Sequence, residues 1–365
     1  MAENSFVSKI INSVLCSTLS VDENKSLEIG QPEKILIVRQ HNQLGDLLAG
    51  VSIFRALKET YPSCYITLIV SPFNYPGMVK NKLIDRIVIF DKKKLINPSY
   101  LIKFWRTIRE TYDLAIVPVV VSISFTSNLI ARLSNSKIRI GPASLDGKEN
   151  TSKYFFDRRV VLDWREHPDS NVSERSLDIV RPFGINTKDY RSEISFDEND
   201  LKIAENFLDK NNHTKDKLLL GLHVGAGKPQ NRWSLQKFAS LIKELNRKFD
   251  VDFYLTGSLA DKSELDYLQK HVEFDLWLYV DKPIPAVAGL ISLSDLFISN
   301  DTGIMHVAGS TGTPLISLFG PTNPLIWAPI GTDKYFIRKS ELIDDIQVED
   351  VLNLCVDILN KKGKV

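Results

Sequence analysis

Cysteine is scarce in this chain, which contains three in 365 residues. Cys16, Cys64 and Cys355 lie far apart in the sequence, and their spacing matches no metal-binding motif. The pattern argues against a zinc site and against a disulfide framework. It predicts buried thiols in a protein that resides in a reducing compartment.

A large charge excess and a long apolar run are also missing. The formal net charge is +1 and no nucleic-acid-binding motif is present, so we expect no nucleic-acid partner. No run approaches the roughly 18 apolar residues that a membrane-spanning helix needs. The apolar content of 43% and the charged content of 25% are typical of a soluble globular protein.

The chain does contain two series of alternating strand and helix patterns. One begins at Lys34 and the other near Lys217, which indicates an α/β protein with two doubly wound, Rossmann-like domains facing across a cleft. The best linker candidate is the stretch 184–197. The predicted segments are an N-terminal extension (1–30), a first domain (31–190), a second domain (191–345) and a C-terminal helix segment (346–365).

Inside these segments the patterns predict several elements that the structure can test. In the extension, apolar residues recur near helical spacing from Phe6 to Leu19. Two interpretations stay open there. In the first, the segment is a helix packed on the first domain or is simply disordered. In the second, it is a helix that binds weakly to a membrane surface. Further predictions are helices over 46–61, 99–112, 173–182 and 347–360, a strand over 114–121, and loops over 142–168.

The most informative stretch runs from Ser294 to Gly331. A buried-strand pattern ends at Asn300 and Asp301, and Thr302 and Gly303 begin a helix. The free N–H groups and the dipole at a helix start favour an anion. A second strand and a Gly-Pro-Thr loop that begins at Gly320 follow. Ligands of open parallel sheets bind at the carboxyl ends of the strands, so a diphosphate is the natural guest.

The first predicted strand leads into a loop that ends at Gly45 and Asp46. Gly45 permits a tight turn and the close approach of another molecule. An N-cap role would explain Asp46 without any function. Its place at the carboxyl end of the first strand favours a second interpretation, in which the carboxylate accepts a proton from an attacking hydroxyl.

The first strand of the second domain ends in a glycine-rich loop with cations. Gly225 precedes Lys228 and Arg232, a composition that suits a phosphate seat. His306 lies five residues after Asp301 and could be either structural or functional. The lysines at 92–94, with Lys103, Arg106 and Arg109, are typical of a solvated surface, and anionic lipid or a phosphorylated acceptor is the alternative partner.

At these motifs the chain resembles glycosyltransferase family 9, the ADP-heptose:lipopolysaccharide heptosyltransferases. Three blocks carry the resemblance and, with the spacing between them, cover most of residues 34–331. They are KILIVRQHNQLGDLLAGVSIFRALKETYP, HVGAGKPQNRWSLQKFASLI and VAGLISLSDLFISNDTGIMHVAGSTGTPLISLFGPTNP. The resemblance implies a metal-independent GT-B fold with an acceptor-binding first domain and a nucleotide-sugar-binding second domain. It also implies that the C-terminal helix returns to the first domain.

The same resemblance implies an inverting transfer in which Asp46 is the general base. An acceptor hydroxyl attacks the anomeric carbon and the nucleoside diphosphate leaves, with no cofactor and no metal. The family motif covers Asp301, Thr302, Gly303 and His306. The implied donor-binding set is Gly45, Gly225, Lys228, Asn231, Arg232, Gly257, Asp301, Thr302, Gly303, His306, Gly320 and Thr322.

This chain departs from the family pattern at a few positions. Asn231 stands where the family usually has lysine, so Lys228 or Arg232 is expected to take over the phosphate contact. Leu259 stands where some heptosyltransferases place a glutamate that contacts the nucleoside. Ser52, Ser234 and Ile304 occupy positions where proline is common.

These observations leave more than one function open. The first hypothesis is a cytoplasmic heptosyltransferase that uses ADP-heptose and a glycolipid or glycan acceptor, with peripheral contact to the inner membrane. The second is the same fold with another nucleotide sugar, such as a UDP-hexosamine. The third is a non-catalytic protein that binds nucleotide sugar or glycan. A nucleotide-sugar epimerase ranks last.

Overall fold

The protein is seen in a computed structural model that describes residues 6–361, with side chains from residue 13 onward. It divides into two compact units between Tyr190 and Arg191. The division falls inside the stretch 184–197 that the sequence marks as a linker. Residues 1–5 of the predicted extension and 362–365 of the predicted C-terminal segment lie outside the described residues.

Unit 1 is built on a seven-stranded sheet in which β3, β2, β1, β4 and β5 are neighbours in that order. β7 pairs with β5 in parallel, and the short β6 pairs with β5 in antiparallel fashion. The core strands are runs of apolar residues because both faces of the sheet are covered. The strands are β1 (Lys34–Arg39), β2 (Tyr65–Val70), β3 (Arg86–Ile89), β4 (Thr111–Ile116), β5 (Asn135–Leu145), β6 (Lys148–Glu149) and β7 (Arg158–Leu162).

Several predicted elements of this unit need correction. The helix expected over 46–61 is two helices, because the chain turns at Gly50 and Val51. The helix expected over 99–112 ends at Ile108, and the strand expected over 114–121 is β4. Only one turn of the helix expected over 173–182 forms as α-helix. The helices are α1 (Phe6–Leu19), α2 (Leu44–Ala49), α3 (Ser52–Thr60), α4 (Tyr75–Met78), α5 (Pro98–Ile108), α6 (Phe125–Leu133) and α7 (Val172–Arg175).

The region expected to be loops, 142–168, contains the parallel strand β7. Its burial alternates along Arg158–Leu162, with Val160 and Leu162 inside and Val161 exposed. Two arginines open the strand, so the sequence lacks the apolar run typical of the central strands. An edge strand needs only one buried face.

The N-terminal extension packs along unit 1. The Val21 amide donates a hydrogen bond of 2.9 Å to the Tyr154 carbonyl, and the Arg132 Nε donates one to the Leu19 carbonyl. Ile29 is buried. These contacts favour the packed interpretation of this segment.

Unit 2 contains a six-stranded, wholly parallel sheet with the order β10-β9-β8-β11-β12-β13. This is the doubly wound arrangement of a Rossmann fold. The prediction of an α/β chain with two Rossmann-like domains is confirmed. The strands are β8 (Leu218–His223), β9 (Val251–Gly257), β10 (Trp277–Val280), β11 (Leu296–Asn300), β12 (Leu315–Phe319) and β13 (Lys334–Arg338).

The last described helix packs within unit 2. α14 lies against α9 and places Val351, Cys355, Ile358 and Leu359 in the core of unit 2. The expected return of residues 346–365 to the first domain stays a prediction. None of the helices in the described part of the chain is long and apolar enough to cross a membrane. The helices are α8 (Glu198–Lys210), α9 (Leu235–Lys248), α10 (Lys262–His271), α11 (Ile284–Ser292), α12 (Gly303–Gly309), α13 (Pro324–Trp327) and α14 (Val348–Lys361).

The strand order locates the ligand-binding edge of each sheet. Successive strands are added toward one edge of the sheet and then toward the other. This change occurs between β1 and β4 in unit 1, and between β8 and β11 in unit 2, although all of these strands are parallel. Open α/β sheets bind ligands beside the carboxyl ends of the strands at this switch point. The loop from Gln40 to Gln43 lies at that point in unit 1. The loops after His223 and Asn300 lie at that point in unit 2.

Candidate functional site

In unit 1, the switch point holds a buried carboxylate beside a buried cation. Asp46 is 6% exposed, and its Oδ2 lies 3.6 Å from Nη2 of Arg39, the last residue of β1. Burial lowers the pKa of Arg39 to about 10, while the charge of Asp46 opposes that shift. Asp46 is the third residue of α2, whose N-cap is Gln43. An N-cap role therefore does not account for Asp46.

A histidine lies next to this ion pair. His41 Nδ1 is 2.5 Å from Arg39 Nη1, and Asn74 Nδ2 donates a hydrogen bond to the His41 carbonyl. Burial, then the charges of Arg39 and Lys92, lowers the pKa of His41 to about 4. His41 is neutral at pH 7, and Nδ1 must be the acceptor because a guanidinium only donates. Sequence reasoning missed Arg39 and His41, although both stand in the first quoted block.

In unit 2, three loops at the carboxyl edge meet around Asp301. Asn231 Nδ2, from the loop after β8, donates a 2.9 Å hydrogen bond to Asp301 Oδ2. Burial raises the pKa of Asp301, while a hydrogen bond with Thr322 and the charge of Lys228 oppose that shift. Thr322 follows β12. Four of the predicted donor-site residues are thus brought together.

The loop after β8 is fixed to the end of β11. Asn300 Nδ2 donates a 2.8 Å hydrogen bond to the Val224 carbonyl, and Asn300 Oδ1 accepts one of 3.2 Å from the Trp233 amide. The Trp233 indole is buried and donates to the Ile346 carbonyl at 2.9 Å. Thr302 is the N-cap of α12, and its side chain makes no capping hydrogen bond. The first amides of this helix therefore lie beside the Asp301 cluster with no cap from Thr302.

The two candidate phosphate-binding cations have different surroundings. Arg232 Nη1 lies 2.8 Å from Glu264 Oε1, and Arg232 Nε donates to the Ala226 carbonyl at 2.8 Å. Lys228 is exposed, and its charge acts on Asp301. Arg232 therefore links two parts of unit 2 and lines the cavity described next, whereas Lys228 is the exposed cation beside Asp301.

A cavity of about 390 Å³ opens next to this cluster. Asp261 lines the cavity and packs closely on Gly225, where a Cβ would lie 2.3 Å from Asp261 Oδ1. His223 Nδ1 lies 3.0 Å from Thr256 Oγ1, and burial lowers the pKa of His223. The lining residues are His223, Ala226, Gly227, Arg232, Thr256, Gly257, Ser258, Ala260, Asp261, Asp281, Lys282, Ile284, Val287, Thr302 and Ile304.

The remaining predicted site residues have chiefly packing contacts. His306 is buried on α12, its ring lies edge-on to Trp327 with centroids 6.4 Å apart, and burial lowers its pKa to about 4. A Cβ on Gly320 would lie 2.9 Å from Ile343. Gly45 lies in the first turn of α2. Within residues 6–361, no group of three or more His, Cys, Asp or Glu side chains could hold a metal ion.

Comparison with known proteins gives consistent results. A sequence model described as glycosyltransferase family 9 (heptosyltransferase) matches residues 101–351. Lipopolysaccharide heptosyltransferase 3 of Escherichia coli is 26% identical over 314 residues, which is 78% of this chain and 83% of the relative.

Solved structures show the same fold. The glycosyl transferase family 9 protein of Veillonella parvula DSM 2008 has a TM-score of 0.79 at 19% identity and covers 94% of this chain and 100% of its own. E. coli heptosyltransferase WaaC with ADP-2-deoxy-2-fluoro heptose has a TM-score of 0.65 at 16% identity, with 89% and 99% covered. At these identities the likeness shows the GT-B fold alone.

Proposed function

We propose, since this chain belongs to glycosyltransferase family 9 (heptosyltransferase), that it transfers heptose from ADP-heptose to a lipopolysaccharide core or a related surface glycan. Membership of this family establishes that the chain is a glycosyltransferase. The donor is supported by the names of the relatives, and the acceptor is supported by the lipopolysaccharide heptosyltransferase of E. coli. We place the reaction in the cytoplasm, with peripheral contact to the inner membrane.

The proposed chemistry is an inverting displacement without a metal. The acceptor oxygen forms a bond to the anomeric carbon, the bond from that carbon to the diphosphate oxygen breaks, and the hydroxyl proton passes to Asp46. The ion pair with Arg39 favours the ionised carboxylate, the form that can accept a proton. ADP leaves with its added negative charge, which Lys228 and the first amides of α12 stabilise.

The observation that carries the proposal is the Asp301 cluster. Side chains from three separate loops converge there, next to an exposed lysine, a helix start and a cavity of about 390 Å³. Anion donors at one end and a cavity of nucleoside size at the other suit a nucleotide sugar. Asn231 has a defined partner in Asp301, so the departure from the family lysine leaves the cluster intact.

A thermal-shift panel of ADP, UDP, GDP and CMP tests the donor. A ligand that binds the folded protein raises its stability with the ratio of concentration to dissociation constant. We expect ADP to give the largest shift. Leu259 is 73% exposed beside the cavity and offers no polar contact to a base, an observation that keeps a UDP-sugar donor as the second candidate. A shift with UDP alone would select it, and no shift with any nucleotide would overturn the proposal.

A transfer assay tests the reaction itself. With ADP-heptose and a lipopolysaccharide-core acceptor, we expect ADP release that is unchanged by excess EDTA, and a product with the anomeric configuration inverted relative to the donor. Retained configuration would contradict the proposed displacement. Loss of activity in EDTA, restored by a divalent cation, would contradict metal independence. Nucleotide binding without transfer would favour the non-catalytic alternative.

A further inference from the structure

A run of cations joins the carboxyl end of β3 to the last turn of α5. Residues 92–109 contain six Lys or Arg and no Asp or Glu. In the described part of the chain, none of the six forms an ion pair, although Arg109 lies over the Trp105 ring at 5.8 Å. The six are Lys92, Lys93, Lys94, Lys103, Arg106 and Arg109.

The same segment exposes large apolar side chains. Ile96 is 92% exposed, Ile102 is 52% exposed and Trp105 is 49% exposed, and Leu95 and Leu101 are exposed as well. The opposite side of α5 packs on the sheet through Phe104 and Ile108. Positions 101, 102 and 105 are neighbours on one face of α5 and form one exposed apolar surface, with Leu95 and Ile96 exposed in the turn just before the helix. A contiguous exposed apolar surface marks an interaction site.

This surface continues to the edge of the sheet that carries Asp46. Lys92 to Lys94 form a 3-10 turn that follows β3, and the charge of Lys92 contributes to the lowered pKa of His41. Lys92 therefore lies close to the loop after β1. A molecule that lies on the α5 surface would come near the proposed base from the solvent side.

We propose that Leu95, Ile96, Leu101, Ile102 and Trp105, with the six surrounding cations, dock unit 1 on an anionic phospholipid membrane. Lipid is the partner that satisfies both features, because its headgroups pair with the cations and its acyl boundary accepts the apolar side chains. Tryptophan is typical of this boundary. The inference deepens the proposed function, because it names how the enzyme reaches a lipid-linked acceptor. Only this link to the acceptor rests on the proposed function, and the membrane docking itself does not.

Vesicle flotation with the full-length protein tests the docking surface. Vesicles of phosphatidylcholine with 30 mol% phosphatidylglycerol are compared with pure phosphatidylcholine. Each cation near an anionic surface strengthens binding by roughly fivefold, so Lys92→Gln/Lys93→Gln/Lys94→Gln should weaken binding to the anionic vesicles by roughly 100-fold. Ile96→Ser/Leu101→Ser/Ile102→Ser should weaken it at least tenfold at low salt, where the cations still act.

A matched control comes from the exposed side of α8, a helix of unit 2 that carries both acidic and basic residues. Lys202→Gln/Ile203→Ser/Lys210→Gln removes the same residue types and should leave vesicle binding unchanged. Thermal unfolding of all variants checks that each is folded. A second measurement is quenching of tryptophan emission by vesicles with brominated acyl chains, which Trp105→Phe should reduce.

The outcomes separate docking from catalysis. Two variants carry changes in the docking surface, the lysine variant at 92–94 and the apolar variant at 96, 101 and 102, and we call them the α5 variants. Failure of the wild type to bind anionic vesicles overturns the inference, as does unchanged binding of both α5 variants. A dimer of the wild type that becomes a monomer in the α5 variants would assign the surface to a second copy instead. The α5 variants should retain full transfer to a soluble, deacylated acceptor. Absence of transfer activity in the wild type would count against the proposed function and would not change the conclusion from vesicle binding.

Discussion

The two sheets have related strand orders but hold their polar groups at the carboxyl edge differently. In unit 1, Asp46 and Arg39 are buried as a pair, and His41 lies against the same guanidinium. In unit 2, Asp301 is only partly buried and is held by side chains from neighbouring loops, with Lys228 exposed nearby.

The difference suggests two tasks for one architecture. A buried ion pair places one carboxylate in a fixed position and limits its contact with water, which suits a proton acceptor. A set of converging loops with an exposed cation suits a large, multiply charged ligand that must enter and leave. Variants that act on only one of these edges can break or sharpen this comparison.

The largest effect is expected for Asp46→Asn. Loss of a general base should lower turnover by roughly 10²–10⁴-fold and leave ADP affinity unchanged, because the change lies in unit 1. Single-turnover kinetics and calorimetry measure the two quantities. Asp113→Asn is the matched control, since Asp113 accepts hydrogen bonds from the Glu33 and Lys34 amides at the opposite end of β1. Wild-type turnover in Asp46→Asn would remove the proposed base.

Two histidines with lowered pKa values, His41 in unit 1 and His306 in unit 2, should distinguish the two edges by their responses to pH and salt. The pKa of His306 is lowered to about 4, so the unfolded chain binds more protons between pH 6.5 and pH 4. His306 should therefore cost about 3 kcal/mol of stability as the pH falls through that window. Denaturant titrations at several pH values should show a shallower pH dependence in His306→Gln, and an unchanged slope would contradict the assignment.

Salt provides the second arm of that comparison. His41 owes part of its lowered pKa to the charges of Arg39 and Lys92, whereas burial alone accounts for that of His306. High salt screens charges but not burial. NMR titration in 1 M salt should raise the pKa of His41 and leave that of His306 in place. Equal responses would mean that the two edges do not differ in this way.

A smaller effect is expected for Gly225→Ala. A Cβ at this position overlaps Asp261 Oδ1, so the loops must separate at a cost of about 2 kcal/mol, and ADP affinity should fall with the distortion. Gly227→Ala is the control for stability from the same loop, because no atom lies within 4 Å of its Cβ position. Unfolding curves and calorimetry distinguish the pair, and equal behaviour of both variants would sink the packing argument.

The smallest effect is expected for Lys228→Ala. Loss of one charge-assisted phosphate contact should weaken ADP binding by about tenfold, with a weaker salt dependence than the wild type. Arg232→Ala should instead lower stability, because it breaks the pair with Glu264. Calorimetry in two salt concentrations tests both variants. A larger loss of affinity in Arg232→Ala would return the phosphate contact to Arg232.

Local patterns predicted most of what is local in this molecule. Tyr65–Val70 and Leu296–Asn300 are recognisable because buried parallel strands are apolar runs. The loops after the first strand of each sheet were found for the same reason. The helix α8 was missed, although Asp197 and Asp200 form a capping box that announces it, because its sequence is rich in charge.

Local sequence patterns could not predict the contacts between residues that lie far apart in the sequence. The amphipathic pattern of α14 predicts a buried face but not the surface that covers it, which is the core of unit 2. The pairing of Asp46 with Arg39 depends on how α2 follows β1. The pairing of Arg232 with Glu264 joins residues 32 positions apart. None of these contacts has a signature in sequence spacing.

The packing of α14 has a consequence for how the protein is made. Domains fold as units during synthesis, and the N-terminal one folds first. Unit 1 is complete by Tyr190, whereas unit 2 needs Leu359, in α14, to fill its core. The core of unit 2 therefore cannot close until α14 has left the ribosome. A chain that stops before α14 would have a finished first half attached to a second half with an open core, a target for proteases.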